Sequence, residues 1–296
     1  MRRLFAKSSP AAPNAFLAVD VGGTKLAVGI VTVDGELIER SQVPTPAHDV
    51  WDALRSLIDH QLANTSCNIV ACGVGCGGPM SMNGQLVSTL HIPEWRNFPL
   101  QSKLSRHIGY DTYIYNDAQA FVLGEQWRGH AVGEKNVIGM VVSTGIGGGI
   151  ILDGLLVRGR LGNAGHIGHV IVEPNGHECA CGSRGCLEAH ASGSSIAAFT
   201  GMPAVQATRQ VVEHAGQLVG RALASVGAIV DARLAVVGGS VALGFGSPFF
   251  AAAQQELDEH ARLDFISGMR VVPAGLGDSA PLIGAAAVAK YGRALA

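Results

Sequence analysis

Apolar residues recur along the chain in short strand-like runs that alternate with longer helix-like segments. Two apolar runs, residues 16–21 and 25–33, meet at a Gly-Gly turn, and Asp34-Gly35 leads into a third strand. Residues 50–62 carry apolar side chains every three or four positions, which predicts a helix. The first part of the chain is therefore predicted to be a three-stranded meander followed by a helix.

The same reading extends to the end of the chain. It predicts strands at 68–74, 113–115, 234–237 and 270–272, and helices at 100–108, 117–127, 193–199, 203–229 and from 282 onward, with a further helix between 240 and 270. Residues 75–84 are predicted to be a loop. Alternating strands and helices after a meander indicate a mixed sheet with helices on its faces, an α/β fold.

An internal repeat gives the strongest indication of how the chain is organised. Residues 137–159 repeat the order of parts in residues 17–39: strand, glycine-rich turn, strand, Asp-Gly turn, strand. The repeat predicts two domains of one kind whose glycine turns face a shared cleft.

Composition narrows the class of protein. The 296 residues are 48% hydrophobic and 15% charged and include 40 glycines, which is typical of a globular α/β protein. The formal net charge of -2 shows no excess of basic residues of the kind that binds nucleic acid or an anionic membrane. No run of eighteen apolar residues predicts a membrane span, and residues 1–14 are expected to be a disordered tail without the apolar core of a signal peptide. We expect a cytoplasmic protein.

Residues 162–188 contain several side chains of the types that bind metal ions. They include Cys179, Cys181 and Cys186 in a Cys-x-Cys-x4-Cys pattern. Thiolate and imidazole are ligands that Zn²⁺ prefers, and either His169 or His177 is close enough in sequence to complete a tetrahedral, structural site. The alternatives are ordinary buried cysteines or one disulfide, but Cys179 and Cys181 are too close together to pair comfortably.

Two glycine turns are candidates for binding phosphate. The first follows Asp20, and the second lies at equivalent positions in the repeat, at residues 143–149. Successive N–H groups in such turns can bind an anion, although a single turn of this kind is usually only a hairpin connection. Two equivalent turns favour a nucleotide phosphate chain held between the domains. Neither turn is a P-loop.

Two further positions each allow a structural and a functional interpretation. Gly238-Gly239-Ser240 is either a strand-to-helix turn or a shelf for adenine and ribose. Asp117, after Asn116 at a strand end, either caps the next helix or faces the ligand crevice as a base that removes a proton from a hydroxyl.

Taken together, these motifs resemble one known family. DVGGTK, YNDAQA, STGIGGGI, GNAGHIGH, CACGSRGCLEAHASG and VVGGS occur in this order and spacing. They are similar to the ROK family (repressors, open reading frames and sugar kinases), and the resemblance extends from about residue 16 to residue 289. The CxCGxxGCxE motif within them is highly specific.

The resemblance implies a duplicated actin-like fold with a cleft between two domains, which is the ribonuclease H-like architecture of the ASKHA superfamily. We expect an N-terminal α/β domain of residues 15–118 completed by the C-terminal helix 283–296. The C-terminal α/β domain would be residues 119–282 and would contain the zinc-bound loop.

The resemblance also implies ATP- and Mg²⁺-dependent phosphorylation of a hexose hydroxyl, usually O6, with Asp117 as the base. The implied sugar-binding positions are Gly78, His91, Asn116, Asp117, Asn163, His166, His169 and Glu188. The implied nucleotide positions are Asp20 near Mg²⁺, then Gly22, Gly23, Thr24, Lys25, Thr144, Gly145, Gly147, Gly148, Gly238 and Gly239. The implied zinc ligands are His169, Cys179, Cys181 and Cys186, which decides against His177.

Two departures from the family pattern concern the sugar. ROK glucokinases usually have glutamate where this chain has His166, whereas N-acetylmannosamine kinases of the family often carry the same histidine. His91 replaces an asparagine that helps to bind sugar hydroxyls. Because neutral histidine offers one donor and one acceptor, the recognised group changes. Glucose and N-acetylmannosamine both remain candidates, as do ATP and polyphosphate as donors.

The family also includes sugar-responsive repressors. Fewer than twenty residues precede Asp20, too few for the helix-turn-helix that those proteins carry before the first glycine turn. Asp117 and both glycine turns argue against a catalytically silent sugar sensor. The resemblance suggests a homodimer or homotetramer.

Overall fold

Two five-stranded sheets form the framework of the protein, and the computed structural model describes residues 12–81 and 84–294. The first part of the chain contains β1 (Asn14–Val21), β2 (Lys25–Thr32), β3 (Leu37–Pro44), α1 (Val50–Asn64), β4 (Asn68–Cys76), β5 (Met80–Ser81), β6 (Leu86–Val87), α2 (Leu100–Ile108), β7 (Thr112–Asn116) and α3 (Asp117–Arg128). The second contains β8 (Val137–Val142), β9 (Ile146–Leu152), β10 (Leu155–Leu156), α4 (Glu188–Ala191), α5 (Gly193–Thr200), α6 (Arg209–Val230), β11 (Leu234–Gly238), α7 (Ser240–Phe245), α8 (Ser247–His260), β12 (Arg270–Pro273) and α9 (Ala280–Ala294).

The two sheets have the same connectivity. Their strand orders are β3-β2-β1-β4-β7 and β10-β9-β8-β11-β12. In each sheet the first three strands form an antiparallel meander, and the last two run parallel to the first. We call the parts of the chain built on these sheets the first and second lobes. The predicted duplicated α/β fold is confirmed.

Helices α3 and α9 lie between the two sheets. Helix α3 packs on β8 and β9, α9 packs on β1 and β4, and the two helices pack on each other. Glycines permit the close approach: a Cβ at Gly73 would overlap the carbonyl oxygen of Ala285, and a Cβ at Gly284 would lie 2.6 Å from that of Ala120. The C-terminal helix therefore covers the first sheet rather than the second.

Strands that are buried on both faces explain the continuous apolar runs at the start of the sequence. Strands β1 and β2 are buried along almost their whole length, because helices cover both faces of the first sheet. Strand β3 instead alternates half-buried and exposed residues, as expected of an edge strand. The parallel strands β1, β4 and β7 end together at the edge that faces the second lobe, which places Asp20 and Asn116 near each other.

Several predicted boundaries need correction. Residues 1–11 of the expected tail, 1–14, lie outside the described residues. The last residue of that expected tail, Asn14, is the first residue of β1. The carbonyl oxygen of Pro13 and the Asn14 side chain both accept hydrogen bonds from Asn68, at 2.9 and 2.7 Å, which extends the sheet. The predicted loop 75–84 contains β5, which pairs with β6.

Two predicted helices also differ from the structure. The helix expected at 203–229 begins at Arg209, because the Thr208 side chain caps it by accepting from the Val211 N–H group at 3.4 Å. The single helix expected after residue 240 is two helices, divided at Gly246 with φ of 62°. The final helix begins at Ala280 rather than at residue 282. Across the part of the chain that the structure describes, no helix is both long and apolar enough to cross a membrane.

Candidate active site

The carboxyl ends of the strands in both lobes meet at a cleft that holds a cavity of about 570 Å³. Most of the predicted site residues line it: Gly22, Gly23, Thr24, Gly78, His91, Asn116, Asp117, Thr144, Gly145, Gly147, Gly148, His166, His169 and Glu188. Asp20, Lys25, Asn163, Gly238 and Gly239 are not among the lining residues. The two glycine turns, β1–β2 and β8–β9, therefore face each other across one cavity, as the repeat predicts.

Asp117 is the first residue of α3 and lines the cavity. The Asn116 side chain caps the helix by accepting from the Ala118 N–H group at 3.1 Å, and the same group lies 2.9 Å from Asp117 Oδ1. Although Asp117 stays accessible through the cleft, the surrounding protein raises the pKa of its carboxyl group by desolvation. The Ala118 N–H group, His166 and His91 lower that pKa in part. Both side chains therefore accept from the first free N–H group of α3, and Asp117 also lines the ligand crevice.

Asp20 lies behind the cavity lining, at the end of β1, and only 9% of its surface is exposed. Burial, together with the negative charge of Asp117, raises the pKa of Asp20 to about 7, and Lys25 opposes the shift. Gly75 separates the two acidic residues: a Cβ there would lie 3.7 Å from Asp20 Oδ1 and 3.8 Å from Asp117 Cα. Because the two negative charges repel each other, a cation bound beside them would be favoured.

The first glycine turn lies against a loop that carries His91. A Cβ at Gly23 would lie 2.5 Å from His91 Cβ, so no side chain fits at that position. The guanidinium group of Arg96 fixes the loop by donating to the carbonyl oxygens of Thr89 at 2.8 Å and Trp95 at 3.0 Å. Arg96 was not predicted, because nothing in the sequence shows that this one side chain binds three carbonyl oxygens of the loop.

The second glycine turn is held by α4 and α5. The Ile146 N–H group donates to Glu188 Oε2 at 2.7 Å, and Ser194 donates to the carbonyl oxygen of Thr144 through its N–H group at 3.1 Å and its hydroxyl at 2.8 Å. The hydroxyls of Ser143 and Ser240 lie 3.0 Å apart. The Gly238-Gly239-Ser240 turn therefore adjoins the second glycine turn, just outside the cavity.

His166 lies on a loop that α3 holds in place. Its Nδ1 atom lies 2.8 Å from the carbonyl oxygen of Asn163, so the neutral ring donates there and leaves Nε2 as an acceptor. The buried amide of Gln119 donates to the carbonyl oxygens of Gly162 at 3.2 Å and Ala164 at 2.9 Å. Gln119, within the YNDAQA motif, was missed by the sequence analysis because its partners lie more than 40 positions away.

Asn163 is placed differently from the expectation that it contacts sugar. Its side-chain amide pairs with the backbone of Met80, accepting from the N–H group at 3.0 Å and donating to the carbonyl oxygen at 2.7 Å. The structure therefore directs this side chain away from the cavity and onto β5.

His169, Cys179, Cys181 and Cys186 form a group that could hold a metal ion, the one such group found among the described residues. Their ligand atoms all lie within 4.8 Å of one another. Cys181 Sγ lies 3.8 Å from Cys186 Sγ, and Cys179 Sγ lies 3.7 Å from His169 Nδ1. Tetrahedral coordination with metal–sulfur bonds of ~2.3 Å requires sulfur atoms ~3.8 Å apart, so the group fits.

The pKa of Cys186 agrees with this geometry. Burial, with the neighbouring thiols, raises the pKa of Cys186 to about 12, so a bound cation is needed to hold several thiolates together. His177 lies outside the group: its N–H group donates to His190 Nε2 at 3.1 Å, and its ring stacks on Phe199. The ligand set implied by the resemblance is the one that the fold brings together.

Comparisons with known proteins agree with this arrangement. The sequence profile of the ROK family matches residues 16–291. The chain is 30% identical to a glucokinase of Thermotoga maritima over 93% of this chain and 96% of that protein. It is 38% identical to an N-acetylmannosamine kinase of Citrobacter koseri over 78% of this chain and 84% of that protein.

A solved structure resembles the chain over nearly its whole length. A ROK family glucokinase from Streptomyces griseus, in complex with glucose and AMPPNP, matches with a TM-score of 0.78 and 29% identity, over 94% of this chain and 99% of that one. These proteins are named as kinases of two different sugars.

The carboxyl group of Asp20 should make stability depend on pH in the absence of ligand and added magnesium. Because its folded-state pKa, about 7, lies above the unfolded value, the folded state retains a proton that the unfolded state releases. The resulting stabilisation is complete below about pH 4 and is lost as the pH rises through about 7. Urea unfolding should therefore show Asp20→Asn gaining stability relative to the wild type between pH 4 and pH 8, by up to ~4 kcal/mol. An Asp34→Asn control on the surface should show no such gain, and a constant difference for Asp20→Asn would contradict the prediction.

Proposed function

Since the chain belongs to the ROK family, we propose that it is a kinase that transfers the γ-phosphate of ATP to the 6-hydroxyl of a hexose or N-acetylhexosamine. The observation that carries this proposal is the position of Asp117, which faces a cavity enclosed by two glycine turns. That arrangement provides a base for a hydroxyl on one side and N–H groups for phosphates on the other.

Asp117 serves as the base. The sugar oxygen attacks the γ-phosphorus, the bond from that phosphorus to the β-phosphate oxygen breaks to release ADP, and the hydroxyl proton passes to the Asp117 carboxylate. A raised pKa brings this carboxylate closer to working pH and improves proton transfer. Positioning and charge stabilisation supply most of the remaining catalysis in phosphoryl transfer.

The glycine turns and the nearby carboxyl groups hold the nucleotide. Backbone N–H groups of the two turns face the triphosphate, except those of Gly22 and Ile146, which donate to the carbonyl oxygen of Lys25 and to Glu188. The adjoining Gly238-Gly239 turn takes the adenosine. Mg²⁺ supplies charge neutralisation at the phosphates. Asp20 is suited to hold that ion, directly or through water, because a nearby cation favours its ionised form.

The sugar occupies the part of the cavity lined by histidines. His91, His166 and His169 surround it, with Asn116 beside Asp117. Glu188 uses Oε2 to hold the Ile146 N–H group, which leaves Oε1 to accept from a sugar hydroxyl.

Two features of the cavity favour an N-acetylhexosamine. The neutral His166 ring has an acceptor at Nε2, suited to an amide N–H group. Leu90 lines the same cavity with 72% of its surface exposed, and its apolar side chain suits an acetyl methyl group, which glucose lacks. The arrangement therefore favours N-acetylmannosamine over glucose.

The metal group is proposed to bind structural Zn²⁺ through His169, Cys179, Cys181 and Cys186. Four protein ligands complete a tetrahedral site and leave no open position for chemistry. The ion supplies a rigid cross-link between the His169 turn and the start of α4. His166 and Glu188 lie close to these ligands in the sequence, so the same cross-link keeps both side chains at the cavity.

Removal of one metal ligand should release the ion. For Cys181→Ser we expect the zinc content, measured by atomic absorption, to fall from about one equivalent to near zero, with a lower melting temperature in calorimetry. Cys67→Ser changes a half-buried cysteine outside the group and should keep both properties. A wild-type protein purified without zinc, and insensitive to added zinc, would exclude this site.

Asp117→Asn should lose turnover and keep its ligand. Because the amide cannot accept the proton, we expect kcat to fall by about 10³-fold, while the sugar Kd measured by calorimetry stays within about three-fold. Asp111→Asn, at an exposed position outside the cavity, is the control and should behave as the wild type. Retained turnover in the Asp117 variant would remove this residue from the role of base.

A coupled ADP-release assay identifies the sugar. With MgATP and glucose, mannose, N-acetylglucosamine or N-acetylmannosamine, we expect the highest kcat/KM for N-acetylmannosamine, about ten-fold above glucose, a difference of ~1.4 kcal/mol. Leu90→Ser should reduce kcat/KM for N-acetylmannosamine while leaving that for mannose nearly unchanged, since these sugars differ only at the acetamido group. A preference for glucose would overturn the assignment to an N-acetylhexosamine. Sugar binding without ADP release would replace the kinase with a sugar sensor or regulator.

A further inference from the structure

A strap of the second lobe, residues 158–166, crosses to the first lobe beside the cavity. The Arg158 guanidinium group lies 4.3 Å from the centroid of the Tyr115 ring, and the amide of Asn163 pairs with Met80 through two hydrogen bonds of 3.0 and 2.7 Å. Tyr115 belongs to β7 and Met80 to β5, so both contacts join the lobes.

Asn163 and Met80 each lie next to residues that line the cavity, on the second and the first lobe respectively. On the first lobe, Met80 follows Gly78 and Pro79, which line the cavity. On the second lobe, the carbonyl oxygen of Asn163 lies 2.8 Å from Nδ1 of His166, which also lines the cavity. The contact therefore fixes the separation of the two walls and the orientation of the histidine ring together.

The chemistry of Asn163 suits it to this task. Its side chain satisfies both the donor and the acceptor of one backbone residue, an arrangement that requires an amide with one oxygen and one NH₂ group. Aspartate lacks the donor and alanine lacks both groups. Gln119 holds the same strap to α3 through the carbonyl oxygens of Gly162 and Ala164, so the strap has a fixed point from which Asn163 reaches across.

We propose that Asn163 is a positioning residue that latches the two lobes at Met80 when they close around the sugar, and that it sets sugar affinity through His166. The inference rests on the proposed function, because it assumes that the cavity is the sugar site. Asn163 acts through the cavity walls and does not touch the reacting atoms, so its loss should weaken sugar binding far more than it slows phosphate transfer.

The first measurement separates affinity from catalysis. For Asn163→Ala we expect the Kd and KM for N-acetylmannosamine, and for glucose, to rise about ten-fold or more, whereas kcat and the KM for ATP stay within about three-fold. Asn163→Asp, which keeps only the acceptor, should lie between alanine and the wild type. Asn136→Ala is the matched control: Asn136 accepts from the Asp153 N–H group at 2.7 Å within the second lobe, and its loss should leave the sugar Kd unchanged.

The second measurement reads the latch itself. The Met80 N–H group donates to Asn163, so its hydrogen exchange, followed by NMR, should slow at least ten-fold when N-acetylmannosamine or glucose binds the wild type. In Asn163→Ala the sugar should no longer slow it. The Ser88 N–H group, which donates to the carbonyl oxygen of Pro79 at 3.0 Å in the same region of the first lobe, should exchange equally in both proteins.

Three results would overturn the latch: an unchanged sugar Kd in Asn163→Ala, sugar-dependent protection of Met80 that survives in that variant, or accelerated exchange of Ser88, which would indicate general loosening. If the alanine variant does not fold, the aspartate variant provides the same tests. Binding and exchange do not require phosphate transfer. A wild type that binds sugar, protects Met80 and forms no ADP would therefore disprove the kinase and leave the latch intact.

Discussion

The packing of α3 against α9 between the two sheets is the constraint on which the rest of the structure depends. Small residues allow the backbones to approach closely: Gly284 lies against the carbonyl oxygen of Ala120, and Gly73 against that of Ala285. Because α3 begins with Asp117 and packs on the second sheet, while α9 packs on the first, this contact sets where both lobes lie relative to the candidate base. A larger side chain at either glycine would move one sheet relative to the other and would change the width of the cleft.

The cavity is assembled from loops that long-range hydrogen bonds hold in place. Arg96 fixes the loop of His91, Gln119 fixes the loop of His166, and Glu188 fixes the second glycine turn. Arg96 and Gln119 satisfy backbone carbonyl oxygens of loops, and Glu188 satisfies the N–H group at the start of β9. Backbone groups that are shielded from water without a partner would cost free energy. These contacts order the site before any ligand arrives, which lowers the entropic cost of binding sugar and nucleotide.

The sequence predicted what depends on local periodicity, and it predicted less well what depends on distant partners. The repeat between residues 17–39 and 137–159 predicts two sheets of the same connectivity, because strand order follows from apolar runs and short turns. The three cysteines of the candidate metal group were also predictable, since their spacing and chemistry are local, whereas spacing alone left His169 and His177 open and the family resemblance chose His169. The destination of the Asn163 side chain was not, because Met80 lies 83 positions away and only the folded chain brings the two together. Helix limits failed for a different reason: Thr208 and Gly246 set them locally, through a single hydrogen bond and a backbone angle that apolar periodicity does not record.

The central claim is that this cavity transfers phosphate from ATP to a sugar 6-hydroxyl, and product analysis tests it most directly. The protein would be incubated with MgATP and N-acetylmannosamine or glucose, and the product assigned by proton–phosphorus correlation NMR. The account predicts a phosphate ester whose phosphorus couples to the two protons on C6, formed by the wild type and not by Asp117→Asn. An ester at another hydroxyl, the same ester from the Asp117 variant, or no ester from either sugar would contradict it.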